Sequence, residues 1–210
     1  MNIALGFVNI LVTFSIVVLI EKLFKKEGLF AWMSIATILA NLTVCKAIDV
    51  LGFTTSLGNV LFASTFLATD ILSEKYSKED AKKAVYLSIF SGITFVIITQ
   101  LTLLFIPSSE DVVNTAMKTL FSISIRTTIA SMTMFFISNM LDIYLYNKIK
   151  EKYPNKLWLR NNVSTILCNC IENYFFNTLA FLGIFSIPVI ISIATTTTII
   201  EMIIALCDTP

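Results

Sequence analysis

Seven long apolar runs are separated by short polar breaks along this chain, at about residues 3–20, 29–45, 57–73, 84–106, 119–146, 162–183 and 187–207. Each is close to the ~20 residues that a helix needs to cross the hydrocarbon core of a bilayer. Membrane β-strands would alternate polar and apolar side chains over about ten residues, and these runs do not alternate. The pattern therefore predicts transmembrane helices, in which every backbone N–H and C=O is satisfied within its own segment. The expected fold class is all-α, a polytopic membrane helix bundle of about seven transmembrane helices. Short breaks without linkers or low-complexity stretches suggest one transmembrane domain over residues 1–210.

Composition strengthens this reading. The sequence is 56% hydrophobic and 14% charged, against about 25% charged in ordinary soluble domains, so it lacks the polar residues to cover a soluble core. The basic residues gather in alternate breaks: Lys22, Lys25 and Lys26; then Lys75, Lys78, Lys82 and Lys83; then Lys148, Lys150, Lys152, Lys156 and Arg160. The intervening breaks hold only Lys46 and Lys118. By the positive-inside rule the N-terminus is expected outside and the C-terminus inside. The first run has no basic n-region and no A-x-A site after it, so it reads as a permanent span rather than a cleaved signal peptide. A net charge of +1 gives no reason to expect nucleic acid as a partner.

The chain has no histidine. Zinc proteases of the H-E-x-x-H type, bis-His haem sites and His proton relays are excluded with it. Cys168 and Cys170 are two apart on an expected helix, so their side chains diverge by about 200°, and the four cysteines read as small membrane-helix residues. No cofactor is expected. A membrane-embedded enzyme would need a nucleophile–base pair, a metal set or a G-x-G-D element, and Asp70, Asp142 and Asp208 all lack the last. The chain is expected not to be an enzyme.

Polar residues inside the runs carry the candidate chemistry. A charged side chain at the bilayer centre costs at least ~2.5–3.5 kcal/mol and usually faces a bundle interior or a cavity. Asp70 sits late in the third run, with Glu74 one turn further on, where Glu74 is also placed to be an interfacial residue beside Lys75 and Lys78. Arg126 lies early in the fifth run and Asp142 near its inner end. In the sixth run, Asn162, Thr165, Asn169, Glu172 and Phe176 follow a 3-4-3-4 spacing that falls on one helical face, and Asn173 and Asn177 widen it. A single Asn is comfortable as interhelical glue, worth about 0.6–2 kcal/mol. Several amides around a carboxylate point instead to a polar cavity, to which Asn41 in the second run adds another amide; Gln100 is a weaker candidate. A carboxylate suits a planar ligand with adjacent N–H groups, in the geometry by which acids read base edges. Amides can satisfy the remaining donors and acceptors. Without His, any proton coupling falls on Asp or Glu.

Four motifs in order resemble the vitamin-uptake family of queuosine-precursor transporters, over roughly residues 38–210. The first is Asn41, then Leu51–Gly52–Phe53, then Asp70, Glu74 and Tyr76 with Ala81–Lys82 following. The second is Arg126 about sixteen residues before Asp142. The third is LWLRNNVSTILCNCIEN, with Trp158, Arg160, Asn162, Ser164, Thr165, Asn169 and Glu172. The fourth is Ala205, Leu206, Asp208, Thr209 and Pro210. Four positions depart from the family pattern: Ser77 stands for Gly, Glu172 for Asp, Asn173 for Ser or Thr, and Glu201 for an expected Lys.

The resemblance implies an inner (plasma) membrane importer of 7-deazaguanines such as queuine, preQ0 or preQ1, for tRNA modification salvage. It would be a secondary, ion- or proton-coupled transporter; the alternative is the substrate-binding membrane subunit of an ATP-energised importer. Asn41, Asp70, Arg126, Asn169, Glu172 and Asn173 are the expected substrate-binding residues, and Glu74 and Asp142 the coupling or gating residues. No metal site is expected. The implied partners are a small deazaguanine base and the lipid bilayer, with homo-oligomerisation left open.

Overall fold

Apolar segments in lipid must satisfy their own backbones, and these do so as helices. The computed structural model describes residues 2–43, 46–50, 53–121, 125–183 and 185–207. In chain order the elements are α1 (Asn2–Thr43), β1 (Ala47–Val50), β2 (Phe53–Ser56), α2 (Gly58–Lys75), α3 (Lys78–Leu103), α4 (Asn114–Phe121), α5 (Ile125–Lys152), α6 (Leu157–Phe181) and α7 (Ile187–Cys207). The two short strands form an antiparallel hairpin, paired from Ala47 with Ser56 to Val50 with Phe53. The rest of the described architecture is a helix bundle.

The first two expected spans are the two arms of α1. Lys25 has φ 58° and ψ −141°, a conformation that costs a non-glycine residue about 1–3 kcal/mol. A Cβ on Gly28 would stand 2.5 Å from the carbonyl oxygen of Ile20 and 2.9 Å from Cβ of Phe24. Eight residues of straight helix would span about 12 Å, so the chain doubles back at this corner, and only glycine fits at position 28.

The fifth expected span differs in its limits. It begins at Ile125 and runs to Lys152, while residues 114–121 form the separate exposed helix α4. Asp111 Oδ1 shapes the turn into α4 by accepting from the backbone N–H groups of Val113 (2.8 Å) and Asn114 (3.0 Å).

By length and apolarity α1, α3, residues 129–152 of α5, and α7 are able to cross a membrane. Helices α2 and α6 fall outside that group because their inward positions are polar: Ser64, Thr65, Thr69, Asp70 and Ser73 on α2, and Asn162, Thr165, Asn169, Glu172, Asn173 and Asn177 on α6, are all buried. Large apolar side chains such as Leu11, Leu23, Phe90, Ile98 and Ile203 are exposed instead, as a lipid-facing surface requires. The apolar core lies between α1, α2, α3 and α5, where Ala36, Ala68, Ala81 and Ala84 pack beside Trp32, Leu72 and Phe135. Small residues let the helices approach closely.

The corner of α1, the α2–α3 connection and the α5–α6 connection meet at one end of the bundle. Ion pairs tie them together: Lys75–Glu21 (3.0 Å), Lys26–Asp80 (3.2 Å) and Lys150–Glu74 (3.1 Å). Ser77 caps α3 there, accepting from the Asp80 N–H at 3.0 Å, the first half of a capping box. Because the three basic clusters surround these contacts, this is the basic end of the bundle.

Candidate functional site

In the half of the bundle away from the basic end, the second arm of α1, α2, α5, α6 and α7 enclose a cavity of about 460 Å³. That lies within the range of small-molecule pockets, about 300–1,000 Å³. Helical periodicity explains the lining. On α6 it is Glu172, Asn173, Phe176 and Asn177, at i, i+1, i+4 and i+5; on α7 it is Ile193, Thr197 and Glu201, at i, i+4 and i+8. Asn41 and Thr37 come from α1, Asn59, Phe62 and Thr65 from α2, and Ser131, Met132 and Phe135 from α5.

Two carboxylates belong to this lining. Ser138 Oγ donates to Glu172 Oε2 at 2.5 Å, and Asn173 Nδ2 donates to Glu201 Oε2 at 2.6 Å. The amides are anchored to their own helices. Asn41 Nδ2 donates to the Thr37 carbonyl at 2.8 Å and Asn177 Nδ2 to the Asn173 carbonyl at 2.7 Å, which fixes their orientation. The aromatic walls are also organised: the Phe62 and Phe135 rings meet edge to face with centroids 5.6 Å apart, and Phe176 meets Phe181 at 6.2 Å. The arrangement combines flat apolar faces with directed polar groups, which is what a planar heterocycle requires.

Between the cavity and the basic end lies a buried polar layer. Asp70, Asn139, Asp142, Thr165 and Asn169 are all at most 4% exposed, and Thr165 Oγ1 points at Asp142 Oδ1 across 3.5 Å. Both amide atoms of Asn169, and Oδ1 of Asn139 and Asn162, have no hydrogen-bond partner among the described residues. Closing this layer off is a cluster around Glu74. Arg160 pairs with Glu74 Oε1 at 2.7 Å, while Lys150 (3.1 Å) and the Tyr146 hydroxyl (3.0 Å) reach Oε2. Arg160 also donates from Nε to the Tyr146 hydroxyl (3.3 Å) and from Nη1 to the Pro154 carbonyl (2.8 Å). This single cluster binds α2, α5 and α6 to one another.

The cavity thus brings together Asn41, Glu172 and Asn173. Asp70, Asn169 and Asp142 sit outside its lining, in the layer beneath, and Glu74 sits in the ion-pair cluster. Arg126 falls in the first turn of α5, and its side chain lies outside the described residues. Gln100 bonds the Phe121 carbonyl at 2.6 Å on an exposed surface. Sequence reading missed the contributions of Ser138, Asn59 and Glu201. The signal for Glu201 was present: an acid one turn after Thr197 inside an otherwise apolar run.

The family model described as "Putative vitamin uptake transporter" matches residues 56–210 of this chain. A protein of Bacillus subtilis (strain 168) named "Probable queuosine precursor transporter" is 39% identical over 202 residues, covering 95% of this chain and 88% of that protein. No solved structure matches the chain.

Proposed function

The chain belongs to the family described as "Putative vitamin uptake transporter" and is a multi-pass protein of the plasma membrane, and from that premise we propose that it imports queuosine precursors of the 7-deazaguanine type for tRNA modification salvage, as a secondary, ion- or proton-coupled transporter. The cavity around Glu172 is the observation that carries this reading. A deazaguanine edge offers an N1–H beside an exocyclic amine, two parallel donors that one carboxylate accepts. Ser138 holds Glu172 by one oxygen. Asn41, Asn59, Asn173 and Asn177 offer both donors and acceptors for the remaining edges. Phe62, Phe135 and Phe176 supply faces for the ring system.

The other half of the bundle supports an alternating-access cycle. With the basic clusters on the cytoplasmic side and the N-terminus outside, the cavity faces outward and the Glu74–Arg160–Tyr146–Lys150 cluster is a closed inner gate. Opening that gate would expose Asp70, Asp142 and Asn169 as an inner route, where carboxylates are available for coupling. This is a role for Asp70 and Asp142 beneath the cavity rather than in its wall.

The test is uptake of radiolabelled queuine, with guanine as competitor, in a salvage-deficient host that lacks any energising ATPase module. Wild-type protein is expected to accumulate label. Glu172→Gln, which leaves one acceptor oxygen where the base edge needs two, is expected to lower uptake about 10–100-fold with the protein still inserted. Unchanged uptake in this variant would remove Glu172 from the site, and wild-type uptake that appears only with an ATPase module would remove the secondary mechanism.

A further inference from the structure

The cavity holds two carboxylates, and reading the base edge uses one. Glu201 is 4% exposed on α7, about 21 Å along the helix axis from Ile187 at 1.5 Å per residue. Among the described residues the Asn173 amide donates to its Oε2 at 2.6 Å. An amide orients a carboxylate but brings no counter-charge. No lysine or arginine is found among the described residues that line the cavity. Two carboxylates ionised together in one low-dielectric hollow would repel each other, and each ionised group would carry a desolvation cost. A positive charge arriving with the substrate offsets both.

Position adds to charge. Asn173 is the neighbour of Glu172 on α6 and reaches Glu201 on α7, so a single side chain links the two acid positions. A 7-deazaguanine carries its pyrimidine edge and the substituent on its five-membered ring on different sides of the bicycle, so each of the two acids has one group of the ligand to read. We propose that Glu201 is a specificity-determining residue that seats the protonated amine of a 7-deazaguanine bearing an aminoalkyl group at C7, in preference to neutral 7-substituted analogues. The inference rests on the deazaguanine reading above and names the subset of substrates that the site prefers.

The experiment compares uptake of 7-aminomethyl-7-deazaguanine with that of 7-cyano-7-deazaguanine, which share the ring edge and differ in charge at C7. Wild-type protein is expected to favour the amine at least about tenfold, the scale of one charge-assisted hydrogen bond. Glu201→Gln is expected to abolish that preference by lowering amine uptake while sparing the nitrile, and Glu201→Asp to retain it. Equal uptake of both compounds by the wild type overturns the proposal, and this needs no variant to fold. So does an E201Q variant that slows both compounds by one factor and keeps their ratio. Wild-type protein that takes up queuine but neither compound overturns the proposal alone, and wild-type protein that takes up none of the three overturns the deazaguanine reading itself.

Discussion

Two halves of one bundle use the same residue types to opposite ends. At the basic end Glu74 is surrounded by Arg160, Lys150 and Tyr146, with contacts of 2.7–3.1 Å on both oxygens. In the other half Glu172 and Glu201 are each held, among the described residues, by one neutral donor and line a cavity. A carboxylate whose oxygens are both engaged by cations holds helices together. One held by a single neutral donor beside open space can accept from something that enters. On the proposed reading, that difference in partners, more than depth in the membrane, tells a gating acid from a binding acid.

The same substitution in the two halves is the strongest way to break the comparison. Glu172→Gln should lower uptake about 10–100-fold, yet leave thermal stability in detergent unchanged or higher, because it removes a buried charge that has no cationic partner among the described residues. Glu74→Gln should do the reverse at first sight: it strands Arg160, whose side chain is 4% exposed. The loss should be about 2–3 kcal/mol, below the figure for a fully buried pair because Glu74 is one-third exposed. A melting curve in detergent reads the stability. A membrane-impermeant thiol reagent applied from outside to Asn59→Cys in a cysteine-free background reads the gate. Labelling should fall several-fold in the Glu74→Gln background as the population shifts toward an inner-open state. Equal melting points for Glu74→Gln and wild type, with unchanged labelling, would show that the cluster is not a gate.

How much of this was legible in the sequence depended on whether the signal was local. Helical period placed Asn162, Thr165, Asn169, Glu172 and Asn173 on one inward face, and all of them are buried. The positions of the basic clusters located the breaks, and three of those clusters do meet at one end. What the sequence did not hold was the division of that inward face along its length. Glu172 and Asn173 reach the cavity, whereas Asn162, Thr165 and Asn169 face the layer below, because which turn of α6 meets which helix is set by packing against α5 and α7. Glu201 escaped for the same reason: its importance comes from Asn173, 28 residues away. The start of the fifth run is not marked in its sequence because residues 119–125 mix apolar and small polar side chains with no Gly or Pro to end a helix, whereas the Asp111 turn starts a separate helix over 114–121.

A smaller effect should follow from the corner of α1, which lies at the basic end, outside the cavity lining. Gly28→Ala puts a methyl group 2.5 Å from a backbone oxygen of Ile20, where no flexible side chain can yield. Overpacking of this kind costs about 1–3 kcal/mol, so the melting midpoint should fall. Uptake per folded molecule should be kept, since the cavity residues of α1, Thr37 and Asn41, are more than two turns away. A loss of affinity for the base with no loss of stability would mean that the two halves are not separable in this arm.

The smallest effect tests whether polar character inside a span is enough to imply function. Gln100 lies within α3 and is as polar as any amide of α6, which makes it a candidate from sequence alone. Its Nε2 donates to the carbonyl of Phe121 at 2.6 Å on an exposed surface, joining α3 to α4, and it lines neither the cavity nor the layer beneath. An exposed hydrogen bond of this sort contributes at most about 1 kcal/mol. Gln100→Ala should therefore change uptake less than about twofold, with the ratio of aminomethyl to cyano compound untouched. A large fall in uptake would place the α3–α4 connection on the route of the substrate, and the binding half of the molecule would then extend beyond the five-helix cavity to its outer rim.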